Sequence, residues 1–140
     1  MAQIDYSKFQ MSLKRLIEQY ENHIIPKPSR SILEEEGVAE SVIQRFETCY
    51  DCLWKVLKRY LGESLGIPET PNSPKPIFCL ASENNLFDTS LDDWMQYAEA
   101  RIDTLHDYDG EKAKTCLGLV GSFVEDAKGL YETMTGKSWV

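Results

Sequence analysis

Arg101-Ile102-Asp103-Thr104-Leu105-His106-Asp107-Tyr108 brings three chemically distinct side chains into one short segment of a chain that has only two histidines. The Arg101 guanidinium is a permanently charged planar fork matched to phosphate oxygens. The His106 imidazole can move a proton near neutral pH, and the Tyr108 phenol offers a hydroxyl. Together they suit the handling of a nucleotide or a phosphodiester. On a helix, five residues turn through about 500°, which leaves Arg101 and His106 about 140° apart. Either the helix ends near Leu105 and the chain turns, or two copies meet across a symmetric dimer axis and share one cleft; the dimer is the favoured solution. The bland alternative makes Arg101 a helix-end cation paired with Asp103 or Asp107, and His106 a cap for the final carbonyls.

The elements that must position these groups belong to one domain, residues 1–140, because a chain of this size builds a single core. No apolar run approaches a membrane span, and Met1-Ala2-Gln3-Ile4-Asp5 lacks the basic-then-apolar order of a signal peptide, so a cytoplasmic location without membrane contact is expected. A net charge of −8 argues against a protein that coats nucleic acid, since such binding draws on clustered cations. Lys55, Lys58 and Arg59 keep a local basic site open. Cys49-Tyr50-Asp51-Cys52 has CxxC spacing, but it lies in a helical apolar pattern with no second pair, since Cys79 and Cys116 stand alone. All four are expected to be small reduced residues, with no zinc or other cofactor.

Apolar residues recur at helical spacing along most of the chain. Tyr6, Phe9, Leu13, Leu16, Ile17 and Tyr20 predict a first helix capped by Asp5 and ending near His23, before Pro26 and Pro28. After an acidic entrance at Glu34-Glu35-Glu36-Gly37, the longest helix runs from Val38 to Leu61 with two apolar seams. One comprises Val42, Phe46, Cys49, Leu53, Val56 and Tyr60; the other comprises Ile43, Tyr50, Trp54, Leu57 and Leu61. A stripe that wide predicts a central helix, with one face open to a dimer contact. A proline-rich loop, residues 67–76, precedes a short helix from Ile77 that breaks at Asn84-Asn85. Thr89 and Ser90 can cap a third long helix carrying Arg101, and a fourth spans Ala113 to Met134. The expected fold is all-α, an up-down antiparallel four-helix bundle with one extra short helix.

Ile43-Gln44-Arg45-Phe46-Glu47, continuing through Leu53-Trp54-Lys55 to Leu57-Lys58, resembles the second helix of the nucleotidyltransferase substrate-binding proteins. These are small helical proteins of the HEPN type (higher eukaryote and prokaryote nucleotide-binding). Ser73-Pro74 with Ala81 resembles their short third segment, and Trp94 through Arg101 to His106-Asp107-Tyr108 resembles their signature helix end. The resemblance implies a HEPN-like bundle, commonly dimeric, that partners a separately encoded minimal nucleotidyltransferase and binds nucleotide or RNA. Arg45, Lys55, Arg101 and Tyr108 are then candidate binding residues. In related toxin and antitoxin pairs the HEPN protein is a metal-independent ribonuclease that its partner silences by transferring AMP to the motif tyrosine. By that likeness Arg101 would hold the scissile phosphate, His106 would transfer protons and Tyr108 would accept AMP. Ile102 departs from the polar residue the family usually carries after the arginine; it can neither orient His106 nor bind substrate through a hydrogen bond.

Overall fold

The computed structural model describes residues 3–106 and 110–139, with the side chains of Leu105 and His106 outside that description. Helix α1, Ser7–Ile24, has Tyr6 rather than Asp5 at its cap position, with no side-chain cap; Asp5, one residue further out, accepts the Ser7 backbone N–H through Oδ1 at 2.9 Å. Phe9, Leu13 and Leu16 are buried beneath it. It ends as Ile25 takes up an extended conformation before Pro26, the geometry that the proline ring imposes on its predecessor.

Helix α2, Ile32–Arg59, begins six residues earlier than the apolar pattern indicates. Its start is a capping box. The Ser31 hydroxyl accepts the Glu34 N–H at 3.1 Å, and the Glu34 carboxylate accepts the Ser31 N–H at 3.5 Å. Glu34-Glu35-Glu36-Gly37 therefore lies inside the helix rather than at its entrance. The cap and the acidic first turn, which suits the helix dipole, outweigh the roughly 1 kcal/mol that an interior glycine costs. At its other end α2 passes into one wider turn, Tyr60–Ser64, closed by Leu65 N–H to the Tyr60 carbonyl at 3.2 Å.

Both apolar seams of α2 are buried, except that Trp54 and Tyr60 sit at the rim. Helix α3, Pro74–Glu83, starts three residues before Ile77, with Pro74 in the first turn, where its missing N–H is no loss. It ends as expected at Asn84, and Asn85 follows with φ 58°. Helices α4, Leu91–His106, and α5, Gly110–Thr135, complete the chain, and Gly136 takes φ 72° just past α5, a conformation that suits glycine. Helix α2 packs against each of the other four. The described residues thus form the expected all-α bundle of four long helices and one short one.

An aromatic cluster locks α3, α4 and α5 to α2. Phe46 meets Phe123 edge-on at 4.9 Å, Tyr97 meets Phe123 at 5.2 Å, and Trp94 stacks on Phe87 at 4.4 Å. The cysteines are free thiols. Burial pushes both the Cys49 and the Cys116 thiol up to about 12, which keeps them protonated near neutral pH. Among the described residues no group of side chains is arranged to hold a metal ion, and no helix is long and apolar enough to cross a membrane.

Candidate functional site

Arg101 is not a solvated helix-end cation, and its described partners lie across the bundle rather than at Asp103 beside it; Asp107 lies outside the described residues. Its side chain crosses to α2, where Nη1 donates to Glu47 Oε2 at 3.0 Å and Nη2 to Asp51 Oδ2 at 3.1 Å, with Nε reaching Asp51 Oδ1 at 3.4 Å. Thr104, one turn along α4 and buried, donates its hydroxyl to the same Glu47 oxygen at 2.9 Å. Glu47 and Asp51 stand one turn apart on α2, and Arg101 and Thr104 one turn apart on α4, so each pair projects from a single helix face. The register also sets direction. Moving up α4 from Arg101 to Thr104 corresponds to moving back along α2 from Asp51 to Glu47, so the two helices run antiparallel.

Burial works against the Arg101 charge, but the Asp51 hydrogen bond and the charges of Asp51 and Glu47 outweigh it and raise the guanidinium pKa further. One cation thus faces two carboxylates. Three of the five guanidinium N–H groups point at those acids, leaving two, among the described residues, for a ligand.

Arg101 also lines a groove of about 450 Å³ between α2, α3 and α4, walled by Tyr50, Pro74, Pro76, Ala98 and Ile102. That volume falls within the range of small-molecule sites. The walls are mostly apolar. Lys75, at the groove edge, is ion-paired with Glu99. The first turn of α3 opens onto the groove but is no phosphate cradle: Pro74 and Pro76 lack an N–H, and the Ile77 N–H goes to the Ser73 carbonyl at 3.3 Å. Burial, reinforced by Asp51 and opposed by Arg101, pushes the Tyr50 phenol up, so it stays a neutral hydroxyl. This arrangement can hold a flat, largely uncharged group against apolar walls while Arg101 offers N–H groups to an acceptor at the end.

The other sequence candidates are dispersed. Arg45 lies on a different face of α2, where Nη1 donates to the Arg15 carbonyl of α1 at 2.9 Å. Lys55 is exposed one turn beyond Asp51 on the same α2 stripe, with its Nζ 6.0 Å from the Trp54 ring centre. Of the nearby basic residues, Arg59 is paired with Glu63 at 2.8 Å. The α4 helix continues through His106, so the backbone keeps the separation of about 140° from Arg101. The His106 side chain and the whole of Tyr108 lie outside the described residues.

Residues 4–136 match the family model described as nucleotidyltransferase substrate binding protein like. The chain belongs to this family. A crystal structure of the Thermus thermophilus protein ttk003001694 is similar at 25% identity and TM-score 0.71, over 89% of this chain and 99% of that one. No curated protein matches.

In this substrate-binding-protein-like chain Glu47, Asp51, Thr104 and Lys75 also belong to the candidate site, and no motif marks them as site residues in the sequence. A signal for the first two exists. Carboxylates at positions 47 and 51 fall on one helix face, and Asp51 hides inside a CxxC spacing that draws the eye to its flanking cysteines.

Proposed function

We propose that this chain is the substrate-binding subunit of a separately encoded minimal nucleotidyltransferase, and that the groove beside Arg101 receives the nucleoside portion of the substrate. The family match over residues 4–136 carries the reading. The groove supports the finer part: its apolar walls suit a base or sugar face, and Arg101 has, among the described residues, two further N–H groups for an acceptor. Ile102, where the family usually has a polar residue, is 43% exposed and serves as one of those walls.

Two further parts belong to the same proposal. The working unit in this reading is a homodimer: α4 stays helical through His106, which keeps its backbone about 140° around the helix from Arg101, and a second copy across a symmetric axis would build one shared cleft from the two segments. Tyr108 is the acceptor if the partner transfers AMP to this subunit. The ribonuclease alternative has less support, since a guanidinium already held by Glu47 and Asp51 is a weak clamp for a scissile phosphate.

The test is co-purification with the nucleotidyltransferase encoded beside this chain, followed by intact-mass analysis with ATP and magnesium. A stable complex is expected, and a gain of AMP units absent from Tyr108→Phe would establish the acceptor. Absence of a complex at micromolar concentration would refute the subunit reading. RNA cleavage by the parent that His106→Ala abolishes would replace it with the ribonuclease.

A further inference from the structure

Seven large hydrophobic side chains are exposed among the described residues, and four of them flank the α1–α2 connection. Ile24 and Ile25 close α1, and Ile32 and Leu33 open α2, with exposures of 55%, 54%, 80% and 78%. Single exposed apolar residues are ordinary, but four of them at the two helix ends of one hairpin point to an interaction surface.

The tip is also held in shape. Arg30, only 10% exposed, donates through Nη1 to the Asn22 carbonyl at 3.1 Å, through Nη2 to the Asn22 side chain, and pairs with Glu35 at 3.4 Å. One side chain thereby clasps the end of α1 to the start of α2. The four apolar residues are thus presented on a braced hairpin, which lowers the ordering cost of binding.

The charge around the patch selects its occupant. Between Glu21 and Glu40 there are five glutamates against Lys27 and Arg30. Glu21, Glu34, Glu36 and Glu40 are exposed. A second copy docked tip to tip would set acid against acid, which is repulsive. A surface with an apolar centre and a rim of lysines and arginines is complementary.

We propose that the α1–α2 tip is the docking surface for a basic-rimmed protein partner. Resting on the subunit reading above, we identify that partner as the nucleotidyltransferase. Position agrees with this. Ile32 lies fifteen residues before Glu47 on α2, so the tip stands about 22 Å beyond the level where Glu47 meets Arg101 and Thr104. Because α4 runs antiparallel to α2, its His106 end points the same way as the tip. A partner seated there overhangs that end of the bundle.

The experiment measures binding of the co-encoded nucleotidyltransferase to the full chain, the Ile32→Glu/Leu33→Glu double variant, a Glu36→Lys/Glu40→Lys variant, and Met11→Glu as an exposed control elsewhere on α1. Circular dichroism melting verifies the fold of each. The expected result is at least about a 30-fold loss of affinity for the apolar double variant, as for two central anchors. A smaller loss that grows at low salt is expected for the charge variant, and none for Met11→Glu. Parent binding that both tip variants retain would overturn the docking surface and leave the subunit reading intact. Failure of the parent itself to bind would overturn that reading and this proposal with it. A tip variant that becomes monomeric by light scattering while keeping its partner would assign the tip to a second copy instead.

Discussion

Two polar links leave α4 in different directions and obey different electrostatics. Toward α2, Arg101 meets Glu47 and Asp51. Toward α5, the Tyr97 phenol donates to Asp126 Oδ2. Burial raises the pKa of Asp126 despite that hydrogen bond, with no cation among the described residues paired to it, and burial together with Asp126 raises that of Tyr97. At Arg101 the charge is compensated by the two carboxylates instead. The first link is a charge cluster with spare N–H groups beside a groove, whereas the second is a neutral donor serving a desolvated acid beside the aromatic core. The difference teaches that the Arg101 link presents a cation toward a groove, while the Tyr97 link, among the described residues, has no cation to offer.

Removing the cation should have the largest effect. Arg101→Met takes the guanidinium away from Glu47, 15% exposed, and from Asp51. The expected loss is roughly 2–3 kcal/mol, below the full value for a buried pair because Asp51 is partly solvated. Calorimetry would show this as a fall in Tm of about 6–10 °C. Adding Glu47→Gln should restore part of that loss, and a double variant no better than Arg101→Met would disprove charge compensation as the basis of the link.

Within the intact cluster Glu47→Gln should cost about 1–2 kcal/mol and Asp51→Asn less than about 1 kcal/mol, since Glu47 serves both Arg101 and Thr104 and the Asp51 side chain is 40% exposed. Denaturant unfolding ranks the two, and the reverse order would contradict the geometry. Tyr97→Phe should cost about 1 kcal/mol, the worth of one side-chain hydrogen bond.

The smallest effect carries a sign. Asp126 has a folded pKa raised above its ordinary 3.8, so its contribution is fully present below that value and is lost as pH rises through the folded pKa. Relative to the parent, Asp126→Asn should therefore melt higher at pH 7 than at pH 3.5. The Arg101 pKa is raised further by Asp51 and Glu47, so its contribution is present throughout the acid and neutral range and the Arg101→Met difference should stay flat between pH 5 and pH 9. Parallel melting curves for the Asp126 pair across pH would erase the contrast between the two links.

Much of the bundle was legible in the residues. The periodicity of Val42, Phe46, Cys49 and Leu53 beside Ile43, Tyr50 and Leu57 announced a helix buried on a wide face, and α2 does pack against every other helix. Boundaries were less legible where caps overrode pattern. Ser31 and Glu34 start α2 before any apolar repeat is visible, and Pro74 starts α3 inside what reads as a stiff loop. Arg101 stood out in the sequence as a candidate through its type and its family-like setting, but its partners Glu47 and Asp51 did not.

The sequence by itself determined the helices, their amphipathic faces and the family, because hydrogen bonds between neighbouring turns, caps and apolar spacing are all local information. Only the tertiary structure decided which acids hold Arg101. With 23 aspartates and glutamates in the chain, nothing local distinguishes Glu47 and Asp51, some fifty residues away, from Asp103 alongside. The structure likewise decided that Ile24, Ile25, Ile32 and Leu33 stay outside the core. Apolar identity is written in the chain, but whether a partner surface exists to cover it depends on where the helices end in space.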